Sequence, residues 1–168
     1  KERRQEAEKK YGIATLEKIS DILFSTYDVM IISTPPHLHG EYMRLALEHD
    51  KHFFVEVATS DDGYKEVLKS KSRKIHAPSC TFRFFEPIIK IKKILSRGKI
   101  GKILAFQNHL GQYLPDWHPW EDYRKVYFAK KESGACREMF PYELSWLNWL
   151  VGSEVARVEG FIGKVSNL

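Results

Sequence analysis

Between Gly111 and Arg124 the chain reads Gly-Gln-Tyr-Leu-Pro-Asp-Trp-His-Pro-Trp-Glu-Asp-Tyr-Arg. Two tryptophans, two tyrosines, three acids, a histidine and an arginine thus share fourteen positions. Flat apolar rings beside short carboxylates suit a sugar, whose carbons stack on aromatic faces while its hydroxyls donate to acids. Trp117 and Trp120 are the candidate stacking faces and Asp116, Glu121 and Asp122 the candidate acceptors. Arg124, with Lys125, is a candidate grip on a phosphate such as that of a nucleotide-linked sugar. The alternative is a buried aromatic plug beneath a sheet or at a subunit contact.

A second set of residues, Thr34-Pro35-Pro36-His37-Leu38-His39, follows the apolar run Asp28–Ser33. Two prolines forbid a strand from continuing, so the turn falls at the strand's C-terminal end, where open α/β sheets bind ligands. The alternative is a stiff turn with two surface histidines. Cys80 and Cys136 are too few and too far apart for a disulfide framework or a metal cluster, which leaves structural thiols, no metal site and a cytoplasmic setting as the expectation.

The elements that must hold these residues follow from periodicity. Helices are expected over residues 1–11, 16–24, 39–49 and 61–71, with strands over 28–33, 52–55 and 75–80. The strand at 28–33 is continuously apolar, as in a parallel sheet covered on both faces. Alternating short strands and helices give an α/β, doubly wound layer. After Arg83 the pattern becomes α+β: a basic helix over 87–97, a strand over 103–109, the aromatic loop over 111–128, a helix over 136–150 and a strand over 155–162. The sequence therefore divides at residues 1–81 and 82–168.

Charge and hydropathy narrow the function classes. The net charge of +5 conceals a segment from Lys65 to Lys102 with twelve Lys/Arg against two acids. Its apolar residues recur at helical spacing, so a solvated cationic helix face is expected, ahead of an anion site and without nucleic-acid binding. No apolar run approaches the roughly 20 residues needed to cross a bilayer, so no membrane association is expected. The opening Lys1-Glu2-Arg3-Arg4 lacks a secretion signal's apolar stretch, and a start without methionine is read as a fragment.

Several blocks carry a resemblance. The run from Asp28 to His39, then Ala46-Leu-Glu-His-Asp-Lys-His52 and the strand ending at Glu56, is similar to the middle of the nucleotide-binding domain of the Gfo/Idh/MocA oxidoreductases. Phe82-Arg83-Phe84 with Pro87 and Gly98-Lys-Ile-Gly101 resembles that family's crossover into its second domain, and Gly134 to Gly152 matches the spacing of its active-site helix. The resemblance implies a partial Rossmann-like parallel sheet followed by part of an α+β substrate domain.

The activity implied is hydride transfer between NAD or NADP and a hydroxyl or carbonyl of a sugar or nucleotide sugar, with a homo-oligomer as the full-length form. Thr34, Pro35, Pro36, His39, Glu56 and Arg83 would contact the cofactor. Glu56 matches the glutamate of the family's Glu-Lys-Pro motif, but Val57 and Ala58 stand where the lysine and proline belong. By the same spacing Glu138 takes the place of the family's aspartate and Tyr142 that of its usual catalytic histidine. Tyr142 would carry the substrate proton, with Glu138 and His118 assisting and Arg137 a nearby cation on the substrate side. The alternatives are that Tyr142 is a packed aromatic, that Glu138 merely pairs with Arg137, and that the protein is a non-catalytic sugar- or partner-binding member of the fold.

No G-x-G-x-x-G turn occurs in the sequence, and the resemblance places that pyrophosphate cradle before Lys1. Calorimetric titration of this 168-residue chain with NADH or NADPH is therefore expected to give weak binding or none. Tight binding would contradict the expectation.

Overall fold

A computed structural model describes residues 2–57, 60–130 and 133–163, apart from the side chain of Ala135. Ala58 lies outside the described residues. Helix α1 spans Glu2–Tyr11 and closes at Gly12, whose φ of +64° is a left-handed value that glycine adopts without strain. The expected helix over 16–24 is replaced by two 3-10 turns, Ile19–Asp21 and Phe24–Thr26. The apolar residues Leu16, Ile19 and Leu23 stay exposed, so the segment lacks the packed face from which a helix in a protein takes most of its stability.

Three parallel strands follow, β1 Val29–Ile32, β2 His52–Val55 and β3 His76–Pro78, in the order β1-β2-β3 with Val29 opposite His52 and Phe53 opposite His76. Helix α2, His39–Glu48, connects the first pair and α3, Tyr64–Lys69, lies in the connection of the second. Ile32, Phe53 and Val55 pack against Met43 and Ala46 of α2 to make the buried core.

Coverage on both faces of β1 does not hold among the described residues. Val29 is 57% and Ile31 74% exposed, because α2 and α3 supply one apolar layer and alternate residues of a strand point away from it. The backbones of α2 and of the entry to α3 meet closely: a Cβ on Gly63, at φ +81°, would lie 2.8 Å from Gly40 Cα. A Cβ on Gly40 would run into the Asp62 carboxylate, which Arg44 holds with two bonds of 2.8 and 3.0 Å.

The basic helix α4 spans Glu86–Ser96, and the long helix α6 spans Ala135–Val151 and ends at Gly152 with φ +74°. Between them, the aromatic loop contains the short helix α5, Leu114–Trp117, and 3-10 turns at Tyr123–Lys125 and Tyr127–Ala129. The expected strands over 103–109 and 155–162 form no ladder among the described residues, where neither has a strand beside it. Cys80 and Cys136 are unbonded, and Cys136 is exposed rather than packed. Among the described residues no helix is long and apolar enough to cross a membrane.

Gly40→Ala tests the tight α2–α3 contact. Alanine favours a helix over glycine by about 1 kcal/mol, but overpacking costs about 1–3 kcal/mol and must also displace Asp62. Chemical denaturation is expected to show net destabilisation.

Candidate active site

The site begins where the three parallel strands end. The chain leaves β1 through Ser33 and Thr34 and enters a 3-10 turn at Pro36, with Leu38 N–H bonded to the Pro35 carbonyl at 2.9 Å. Glu56 N–H donates to the Ile32 carbonyl at 3.1 Å, and Ser79 N–H donates to the Val55 carbonyl at 2.7 Å. These bonds bring Thr34, Glu56 and Ser79 to the C-terminal edge of the sheet.

His39 fixes the first of these ends from behind. The residue is 1% exposed, and Nε2 lies 2.8 Å from the Thr34 carbonyl. A carbonyl only accepts, so Nε2 carries the proton and Nδ1 is the unprotonated nitrogen. Nδ1 is buried without a partner. Burial lowers the His39 pKa, against the smaller raising effects of the Thr34 bond and of Glu56.

The opposite wall is α6 and the loop before it. Glu138 and Tyr142, one helical turn apart, share a face of α6. Together with Met139, Trp117 and Tyr127 they face Thr34, Pro35, Pro36, Glu56, Val57, Ser79 and Thr81 across a cleft of about 580 Å³. The Tyr142 ring packs edge-on against Phe82, centroids 5.0 Å apart, and its hydroxyl has no hydrogen bond among the described residues.

Glu138 is held from the side. The Tyr127 hydroxyl donates to Glu138 Oε1 at 2.8 Å, while Glu138 Oε2 is buried without a partner. Burial raises the pKa of Glu138 and nearby Glu56 adds to the rise, while the Tyr127 bond and His118 oppose it. The Tyr127 phenol is pushed well up, first by burial and then by Glu138.

Of the residues singled out in the sequence, Thr34, Pro35, Pro36, Glu56, Trp117, Glu138 and Tyr142 meet in this cleft. The others do not line it. His39 sits beneath the turn, and Arg83 directs Nε and Nη2 at the Ser145 carbonyl, 2.8 and 2.6 Å away. His118 Nδ1 is 2.6 Å from Glu121 and its ring stacks on Trp120, which is 76% exposed. Arg124 lies over the Tyr123 ring at 5.0 Å, and Arg137 is exposed. Glu138 therefore bonds Tyr127 rather than Arg137. Tyr127, Ser79, Thr81 and Met139 were not legible as site residues, since no spacing rule links Tyr127 to a carboxylate eleven positions later.

Comparison with known proteins gives two family matches, "Oxidoreductase family, NAD-binding Rossmann fold" over residues 1–74 and "GFO/IDH/MocA C-terminal domain" over residues 88–167. The chain is 29% identical to a levoglucosan dehydrogenase of Pseudarthrobacter phenanthrenivorans, over 74% of this chain and 33% of that protein. It is 26% identical to a 2,7-anhydro-N-acetylneuraminate hydratase of Mediterraneibacter gnavus, over 88% of this chain and 40% of that protein. It is 25% identical to a glycosyl hydrolase family 109 protein of Bacteroides fragilis, over 79% of this chain and 32% of that protein. The chain thus spans well under half the length of these relatives. No solved structure matches the chain significantly.

The buried His39 makes a pH prediction. Its folded pKa is below the unfolded value of 6.5, so between the two the unfolded chain binds the extra proton. Stability from this residue is complete above pH 6.5 and declines as the pH falls toward the folded pKa. Denaturation midpoints at pH 7.5 and 5.5 are expected to differ less in His39→Gln than in the parent, and an unchanged difference would contradict this.

Proposed function

Because this chain belongs to the GFO/IDH/MocA oxidoreductase family, with the family's NAD-binding Rossmann fold in its first part, we propose that it serves an NAD- or NADP-dependent dehydrogenase or reductase of sugars or nucleotide sugars. The observation that carries this reading is the cleft in which three parallel strand ends face a carboxylate and a phenol from α6. The sugar-related names of the relatives point the same way. The reading takes residues 1–81 as the nucleotide-binding part and 82–168 as the substrate part, the cytoplasm as the compartment and a homo-oligomer as the working form.

The sheet edge fits the ribose and nicotinamide side of a dinucleotide. Thr34 Oγ1 is buried there without a protein partner, an unmet hydrogen-bonding capacity that a ribose hydroxyl would satisfy. Pro35 and Pro36 make a rigid floor, and the exposed Glu56 accepts from a second hydroxyl. A nicotinamide cofactor, when bound, supplies the hydride chemistry. The chain's own residues hold the substrate and move its proton.

Trp117 is the stacking face within the cleft. Tyr142 is the proton carrier at the substrate hydroxyl, Glu138 assists it from the preceding turn, and His118, held by Glu121 outside the cleft lining, assists through its charge acting on Glu138. Trp120, Arg124 and Arg137, all exposed, serve the outer part of a larger substrate such as a nucleotide sugar. His39 and Arg83 act on the cofactor side indirectly, His39 by setting the Thr34 turn and Arg83 by holding α6.

Val57 favours a second reading. An aliphatic side chain stands in the cleft where the family carries lysine, as in a binding protein that has lost its chemistry. Protein expressed from the complete reading frame, screened with NAD(H) or NADP(H) against sugars and nucleotide sugars, is expected to change nicotinamide absorbance. Tyr142→Phe is expected to lower kcat by about 10²- to 10⁴-fold, the usual contribution of general acid–base assistance. Sugar binding without any turnover would instead establish the second reading.

A further inference from the structure

The loop before α6 holds Tyr127 at both ends. Its carbonyl accepts from Ser133 Oγ at 2.6 Å and from Lys130 N–H at 3.0 Å, and Ser133 is fully buried. Gly134 completes the turn into α6, since a Cβ there would lie 2.9 Å from the Lys130 carbonyl. The other end of Tyr127 is the phenol on Glu138 Oε1. The backbone of Tyr127 is thus fixed by the turn, and its side chain ends on a carboxylate that lines the cleft.

We propose that Tyr127 is a positioning residue: it fixes Glu138 Oε1 so that Oε2, the carboxylate oxygen left without a protein partner, accepts a hydroxyl of the substrate. The proposal rests on the redox reading of the cleft and adds to it a residue that neither periodicity nor the family resemblance selects. The titratable groups around the Glu138 carboxylate are Tyr127 from the loop, Glu56 from the end of β2, His118 beside α5 and Tyr142 on α6 itself. Glu56 disfavours the ionised form that accepts a hydroxyl, whereas the Tyr127 hydroxyl favours it, as does His118. Removing the hydroxyl leaves burial and Glu56 less opposed.

The test uses protein from the complete reading frame, with the Glu138 carboxyl followed by carbon-13 NMR and identified by its loss in Glu138→Gln. In Tyr127→Phe the midpoint of that carboxyl is expected to rise by about one pH unit, the scale of one hydrogen bond to a charged group. The acid limb of kcat/KM is expected to rise with it. In the Glu138→Gln background, Tyr127→Phe is expected to add no further loss of kcat/KM. Incorporating 3-fluorotyrosine at position 127, a stronger donor of nearly the same size, is expected to move the midpoint down, and it decides the matter if the phenylalanine variant does not fold.

A midpoint unmoved by either change, or fully additive losses in the double variant, overturns the proposal. A protein that turns over no sugar removes the redox reading, and with it the substrate half of the proposal. The NMR midpoint still reports separately whether Tyr127 governs Glu138.

Discussion

A guanidinium aimed at one helix carbonyl ties α6 to the turn that follows β3. Arg83 follows β3, in the 3-10 turn Thr81–Phe84, and gives two N–H donors to the Ser145 carbonyl in the middle of α6. Bonds from a charged donor are among the stronger ones available to a protein, and this one is partly buried. Lys92 of α4 adds a second fastening, donating to the Trp149 and Leu150 carbonyls at the end of α6, where a cation also complements the helix dipole. Through Arg83, in the turn after β3, α6 is held opposite the strand ends that form the other wall of the cleft. Phe82, beside Arg83, touches both Tyr142 and Trp146, so the same turn also sets the rings of α6.

Much of the α/β part was legible because its signals are local. Pro35-Pro36 stops a strand wherever it occurs, and the spacing of Met43 and Ala46 marks the buried face of α2 whatever lies beyond it. The face of α6 that carries Glu138 and Tyr142 followed from a separation of four residues. Where contacts outside the segment decide, the sequence was silent or misleading. Residues 16–24 have helical spacing, but Leu16, Ile19 and Leu23 stay exposed and give a helix no packed face. Residues 103–109 alternate like a strand yet have no neighbouring strand among the described residues. His37 and His39 look alike in the sequence, but only His39 turns inward.

The site shows the same division. Residues placed by strand ends and by helix repeat arrived together, whereas those of the aromatic loop did not arrive as a group. Trp117 reaches the cleft while Trp120, three positions later, stacks on His118 in solvent. Tyr127 reaches Glu138 only through a turn whose geometry depends on a buried serine and a glycine. Side chains brought together by a loop obey no period, so composition indicated the region but not the participants.

The unroofed side of the sheet bears on how this chain behaves at high concentration. Val29, Ile31 and Phe54 present apolar side chains on that side, and β1 is an edge whose outer backbone groups have no ladder partner among the described residues. The other edge, β3, ends in Pro78, which has no N–H to offer a newcomer. Self-adhesion is therefore lopsided: a foreign strand gains both apolar cover and amide pairing along β1, so charged replacements at Val29 or Ile31 would do more for colloidal behaviour than any made beside β3.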